Sequence, residues 1–254
     1  MTTALYWQTE GQGSDLVLIH GWGMNGAVWQ QLLPLLTPFY RVHWVDMPGY
    51  GHSHDISADS IEEMAQLLLD KSPMSATWLG WSLGGLVATQ AALLAPERVT
   101  RLVTVASSPR FAAEGTWRGI QPQVLDDFRH QLGNDFQLTV ERFLALQAMG
   151  SPTARQDIKL LKQAVLSRPQ PNPEALSIGL RLLADVDLRA QLGGITQPWL
   201  RLYGRLDGLV PAKVAKDMDQ LAPLSCRQIF AAASHAPFIS HPEEFVQTLK
   251  DFIK

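Results

Sequence analysis

Only one cysteine, Cys226, occurs in the 254 residues, so the chain can close no internal disulfide and build no cysteine-based metal cluster. Nor is there an HExxH pair, and the seven histidines are scattered, so no metal is implied. Charge of one sign is missing too. With 21 Lys and Arg against 24 Asp and Glu the formal net charge is −3, which gives no field that would gather nucleic acid. The apolar run Leu16 to Ile19 is far too short to span a bilayer, and the N-terminal MTTALYWQTEGQGSD has no basic stretch followed by an apolar one. Asp46-Met47-Pro48-Gly49-Tyr50-Gly51 lacks the lysine and spacing of a phosphate-binding loop, and no GxGxxG opens a suitable helix. These absences lead us to expect a soluble, cytoplasmic, monomeric protein with no metal, no nucleotide cofactor and no nucleic-acid or membrane partner.

What the chain does have is alternation. With 46% hydrophobic and 18% charged residues, and 19 Gly and 16 Pro spread along it, the composition is that of a globular protein. Short β-branched or apolar runs predict strands near 4–9, 16–20, 41–46, 76–81, 101–107, 198–203 and 226–231. Between them, apolar residues at three- and four-residue spacing predict helices at 60–70, 83–95, 211–222 and 242–253. Ser60 with Glu63 forms a capping-box pattern for the first of these. Runs such as Leu102-Val103-Thr104-Val105-Ala106 are apolar on both faces, as buried parallel strands require. The expected fold class is therefore α/β, a mostly parallel central sheet flanked by helices. Residues 110–190 break the alternation: Val124, Leu125, Phe128, Leu132, Phe136, Val140, Phe143 and Leu144 recur at helical intervals. We expect a helical cap over 110–190 inserted into a core of 1–109 and 191–254, with a second cap helix starting at Ser151-Pro152 and a third after Pro169, Pro171 and Pro173.

The segment Thr77-Trp78-Leu79-Gly80-Trp81-Ser82-Leu83-Gly84-Gly85 reads strand, sharp turn, helix. A serine on such a turn needs small neighbours, because a Cβ at Gly80 or Gly84 would collide with the tightly folded backbone. Ser82 is thus the candidate nucleophile. A serine hydroxyl needs a base, and the base needs an acid to fix its tautomer. Asp207 lies in the loop after the strand ending at Tyr203, and His235 in the loop after the strand containing Phe230. Both would sit at carboxyl ends of strands, where open α/β sheets keep their sites. His20, His43, His52, His54, His130 and His241 lack that combination of late position, strand end and loop. Backbone N–H groups must also face the developing oxyanion. Leu83, next after the serine, and Trp22, in the loop His20-Gly21-Trp22-Gly23, are the candidate donors. Trp81 is expected to pack beneath the turn. A general esterase, a carbon–carbon bond hydrolase or a lyase could use the same triad, and a catalytically silent binding protein could use the same scaffold.

The stretches LVLIHGWG, VDMPGYGHS, LGWSLGGLVA, LYGRLDGLVP and HAPFISHPEEF together resemble the α/β-hydrolase superfamily. More narrowly, WLGWSLGGLVA, LVTVASSP and TVERFLALQAMG resemble the pimeloyl-[acyl-carrier protein] methyl ester carboxylesterase family of bacterial biotin synthesis. The resemblance implies Ser82, Asp207 and His235 as the triad, Trp22 and Leu83 as the oxyanion hole, and an acyl carrier protein bearing the pimeloyl methyl ester as partner. In the cap, ten Lys or Arg stand against nine Asp or Glu, whereas the remainder has eleven against fifteen. Arg155, Lys159 and Lys162 fall on one helix face and, with Arg142, are the candidate carrier-docking residues. The family resemblance suggests further arginines where this chain has Leu138 and Lys159; lysine keeps the charge but loses the bidentate geometry. Phe143 is a candidate for the acyl channel, with Phe128 and Leu146 as lesser ones.

Overall fold

The computed structural model describes residues 4–254. Its strands are β1 (Trp7–Glu10), β2 (Ser14–Ile19), β3 (Tyr40–Val45), β4 (Ala76–Trp81), β5 (Val99–Val105), β6 (Trp199–Gly204) and β7 (Cys226–Phe230). They form one sheet in the order β1-β3-β2-β4-β5-β6-β7, with β1 antiparallel to β3 and the other neighbours parallel. The helices are α1 (Leu33–Leu36), α2 (Ile61–Lys71), α3 (Leu83–Leu94), α4 (Pro122–Asn134), α5 (Phe136–Ala148), α6 (Ala154–Leu166), α7 (Pro173–Asp185), α8 (Val214–Leu221), α9 (Pro237–Ser240) and α10 (Pro242–Ile253). Among the described residues no helix is long and apolar enough to cross a membrane.

All six residues of β4 are buried, as expected of a central parallel strand covered on both faces. From β2 the chain crosses to β3 on one side; from β4 it crosses to β5 on the other. The crevice between the carboxyl ends of β2 and β4 is therefore the point where strand order reverses, the place where open α/β sheets leave room for a ligand. Register pairs Ile19 with Gly80, so the loop after β2 and the turn after β4 emerge side by side.

Local chemistry accounts for the departures from the predicted elements. β1 begins at Trp7, because the Tyr6 N–H is taken by the Ser53 hydroxyl (2.8 Å) before the pairing with β3 begins. The Ser60 hydroxyl caps α2 at the Glu63 N–H (3.1 Å), but the Glu63 carboxylate returns to the Asp59 N–H (2.8 Å), one residue beyond a reciprocal box. The chain from Pro211 first makes tight turns (Val214 N–H to Pro211 O, 2.8 Å), so α8 starts late. Between β5 and β6 there are four helices, not three. The apolar spacing continues through Asp135, yet that residue is extended and its carboxylate accepts from the Leu138 N–H (2.9 Å), ending α4 and capping α5. The next helix starts at Ala154, not at Pro152: the Ser151 hydroxyl bonds the Asp157 carboxylate (2.8 Å) and accepts from the Thr153 N–H (3.2 Å), making a turn ahead of α6.

These helices are bolted to the sheet at one end. Arg168, just past α6, pairs with the fully buried Asp46 and with Gln8 (2.7 Å), and its guanidinium lies 5.0 Å from the Tyr6 ring centroid. Asp46 also accepts from the Gly26 and His52 N–H groups (2.7 and 2.8 Å). Asn25 donates to Ala164 O (3.0 Å), and the Asn172 N–H to Gly49 O (2.8 Å). Removing one member of a buried pair leaves the other charge uncompensated. Arg168→Met should therefore lower unfolding free energy in urea by about 3 kcal/mol, and adding Asp46→Asn should recover part of that loss. Equal stability of Arg168→Met and the parent chain would show that the pair is not an anchor.

Candidate active site

Ser82 follows β4 directly with φ 56° and ψ −121°, a left-handed conformation that costs a non-glycine residue about 1–3 kcal/mol. The glycines beside it make room for this. A Cβ on Gly80 would stand 2.1 Å from Gly84 O, and one on Gly84 would stand 2.4 Å from His20 O. The turn can close only because those atoms are missing.

The structure brings the three predicted side chains together from three strand ends. Ser82 Oγ lies 2.9 Å from His235 Nε2, and His235 Nδ1 lies 2.8 Å from Asp207 Oδ2. The second oxygen of Asp207 accepts from the Leu209 and Val210 N–H groups (2.8 and 3.0 Å), which leaves Oδ2 aimed at the imidazole. A carboxylate on Nδ1 holds the proton there, so Nε2 faces the serine as an acceptor. Ser82 is 2% exposed and His235 fully buried.

His235 is also fixed through its backbone. Its N–H donates to Gln147 O in α5 (3.0 Å), and its carbonyl accepts from the Trp81 indole N–H (2.8 Å). The neighbouring Ser234 hydroxyl donates to Met149 O (2.9 Å). Trp81 thus packs beneath the turn against Trp29 and Phe238, and it additionally ties the residue before the serine to the histidine. A tryptophan beside a GxSxG serine signals burial, but nothing in its spacing reveals this bond.

The backbone N–H groups of Trp22 and Leu83 donate to no backbone acceptor among the described residues. The Trp22 indole donates to Leu176 O in α7 (2.8 Å), and its ring meets Phe143 edge-on with centroids 4.6 Å apart. Phe143 is buried between Trp22 and Phe128. The open cleft of ≈ 500 Å³ between α4 and α5 is instead walled by Val124, Phe128, Ala145, Leu146 and Met149, with Arg142 at its edge. Phe143 therefore backs this cleft and touches the loop of Trp22.

His20 is the histidine whose importance sequence position undervalues. Its Nε2 accepts from the Met47 N–H (3.0 Å), so its proton sits on Nδ1 and donates to Gly21 O (2.8 Å). That carbonyl belongs to the same planar peptide as the Trp22 N–H, so the bond sets which way the N–H points. Complete burial lowers the His20 pKa to about 4, against a partial upward pull from Asp46.

The basic candidates separate. Arg155 and Lys159 are exposed on α6. Lys162 is paired with Glu141 of α5 (3.0 Å), and Arg142 donates to Gln131 (2.6 Å). The helix-face spacing of 155, 159 and 162 holds, but the contact with α5 takes Lys162 out of the free set.

A sheet of this order with such a serine turn after its central strand defines the α/β-hydrolase class. A family model described as alpha/beta hydrolase fold matches residues 16–242. The chain is 98% identical to the pimeloyl-[acyl-carrier protein] methyl ester esterase of Photobacterium profundum, covering 100% of both. It is 64% identical to the esterase of the same name from Vibrio vulnificus, covering 99% of both. Among solved structures, an esterase from Exiguobacterium antarcticum superposes with a TM-score of 0.85 at 23% identity, covering 98% of this chain and 95% of that one. The enol-lactonase from Burkholderia xenovorans gives 0.84 at 19%, covering 98% and 96%. The chain belongs to the pimeloyl-[acyl-carrier protein] methyl ester esterase family of α/β-hydrolases.

The buried His20 ties stability to pH. An ordinary histidine titrates near 6.5 and the folded one near 4, so the unfolded chain takes up this proton first. This contribution is fully present above pH 6.5 and is lost as pH falls to about 4, a change of up to about 3 kcal/mol. Urea midpoints measured across that range should fall less steeply for His20→Gln, which cannot take up the proton. Identical slopes for variant and parent would refute the assignment.

Proposed function

We propose that this chain hydrolyses the methyl ester of pimeloyl-[acyl-carrier protein], releasing methanol and freeing the distal carboxylate, a step of biotin synthesis. The observation that carries the reading is the unbroken chain of hydrogen bonds from Ser82 Oγ through His235 to Asp207, beside the Trp22 and Leu83 N–H groups, which have no backbone acceptor among the described residues. The 98% identical relative bears the name of that activity.

In the reaction Ser82 Oγ attacks the ester carbonyl carbon while His235 Nε2 takes its proton. The carbonyl oxygen becomes an oxyanion held by the Trp22 and Leu83 N–H groups. Collapse breaks the bond to the methoxy oxygen, which leaves as methanol with the proton from His235. Water then attacks the acyl-enzyme, giving one proton to Nε2, and the second collapse returns that proton to Ser82 and releases the carboxylic acid, which ionises to the carboxylate by losing its remaining proton to solvent. Asp207 stays ionised throughout and orients the imidazole. The residues need no cofactor for this sequence. Residues 110–190 act as a cap on a core of 1–109 and 191–254, and the acyl chain reaches the buried serine from the cap side. Phe143 supports Trp22 at the inner end of that path.

The carrier protein docks on the exposed Arg155 and Lys159 of α6, with Arg142 at the cleft edge; Lys162 contributes less, because Glu141 already compensates its charge.

Methanol release from the carrier-bound methyl ester should fall on the order of 10⁵-fold in Ser82→Ala. Retention within tenfold of the parent rate would remove the serine from the mechanism. The double charge reversal Arg155→Glu with Lys159→Glu should raise KM for the carrier-bound ester about tenfold more than KM for a short p-nitrophenyl ester. An equal change on both substrates would mean that this face does not dock the carrier.

A further inference from the structure

A second strained residue lies next to the site without taking part in the triad. Apart from Ser82, the non-glycine residue at positive φ among the described residues is Ala106, at φ 45°, just past β5. Alanine has no polar side chain to gain from that conformation, so the strain must serve its surroundings. Its own N–H donates to Leu202 O (2.8 Å), and Val105 O before it accepts from the Ser82 N–H (2.9 Å). The backbone is thus pinned to both neighbouring strands and then turned sharply. What the turn delivers is Ser107, buried, with its hydroxyl donating to Ser82 O at 2.9 Å.

That carbonyl is one end of the Ser82–Leu83 peptide, whose other end is the Leu83 N–H. Because the peptide is planar, pulling its oxygen toward Ser107 points its N–H the opposite way. His20 does the same for the Gly21–Trp22 peptide, holding Gly21 O at 2.8 Å. The two N–H groups assigned to the oxyanion thus each belong to a peptide whose carbonyl is tied back by a buried side chain. Space is reserved for the second tie. A Cβ on Gly85 would stand 2.4 Å from both Cβ and Oγ of Ser107, so the helix can approach this hydroxyl only with glycine there.

We propose that Ser107 is a positioning residue of the oxyanion hole: its hydroxyl, aimed by the strained Ala106, sets the orientation of the Ser82–Leu83 peptide and hence of the Leu83 N–H. This rests on the reading of Ser82 as nucleophile and Leu83 as oxyanion donor. Ser107 does not touch substrate; it acts on the transition state through the peptide. Its removal weakens binding of the tetrahedral oxyanion more than binding of the planar ester.

Ser107→Ala removes one of the two bonds on Ser82 O and leaves that from the Gly85 N–H (2.9 Å), and a melting curve recorded beside the assay reports any loss of fold. Activity on a p-nitrophenyl ester is measured per site titrated with a fluorophosphonate, beside the affinity for an alkyl trifluoromethyl ketone, which adds Ser82 to form an oxyanion. We expect kcat to fall about tenfold with KM within twofold, and ketone affinity to fall by a similar factor. Unchanged kcat and ketone affinity, a loss confined to KM, or a lowered melting temperature at full activity per site would each overturn the proposal. Ser82→Ala, which has no serine to titrate and is assayed on the same ester per mole of folded protein, separates the two claims: if it stays active, the functional reading fails; if it is inactive and Ser107→Ala is unaffected, only the positioning role fails.

Discussion

The backbone of Ser82, held at φ 56° at the end of a fully buried strand, is the constraint around which the carboxyl edge of the sheet is arranged. A left-handed serine is unfavourable in isolation, so it persists only where its neighbours leave no alternative. Here the Ser82 N–H is bonded to Val105 O, and the turn is closed by glycines whose missing Cβ atoms would otherwise meet backbone within about 2.5 Å. The strain lifts Oγ out of the helix that follows and sets it against His235. Without it the hydroxyl would have no fixed relation to the imidazole of His235.

The same economy extends to the partners. The histidine is gripped through its own peptide groups by Trp81 from below and by Gln147 from α5. Trp22 is gripped through its indole by Leu176 of α7. His235 and the loop of Trp22 therefore each lean on a different helix between β5 and β6. The helices between β5 and β6 are thus part of the scaffold of the site. Arg168, Asn25 and Asn172 tie the segment from the end of α6 to the start of α7 to the loops that follow β2 and β3.

The alternation of apolar runs and amphipathic segments made the sheet legible within a few residues, because burial on both faces of a parallel strand leaves a continuous apolar signature. The GxSxG turn was legible because its glycines have a steric reason, and Asp207 and His235 because each follows a strand. The insertion was read less well. Leu132 and Val140 continue one helical spacing across Asp135, and hydrophobic period cannot register a break that a single capping carboxylate makes. Ser151-Pro152 looked like a helix start, but the Ser151 hydroxyl had a closer use with Asp157. Lys162 shared a face with Arg155 and Lys159, yet its partner Glu141 comes from another helix, which spacing within one helix cannot reveal.

What the sequence by itself determined is the class of sheet, the position of the serine turn and the order of the residues that could serve it. These depend on short-range sterics and on periodicity, both written in neighbouring residues. Tertiary structure alone decided how those residues are aimed. Which nitrogen of His20 carries its proton depends on Met47, the direction of the Trp22 N–H on His20, and the grip on His235 on Trp81 and Gln147. Each of these is a hydrogen bond between segments distant in sequence, formed only once the sheet has packed. No local pattern encodes a donor and an acceptor that folding has yet to bring together.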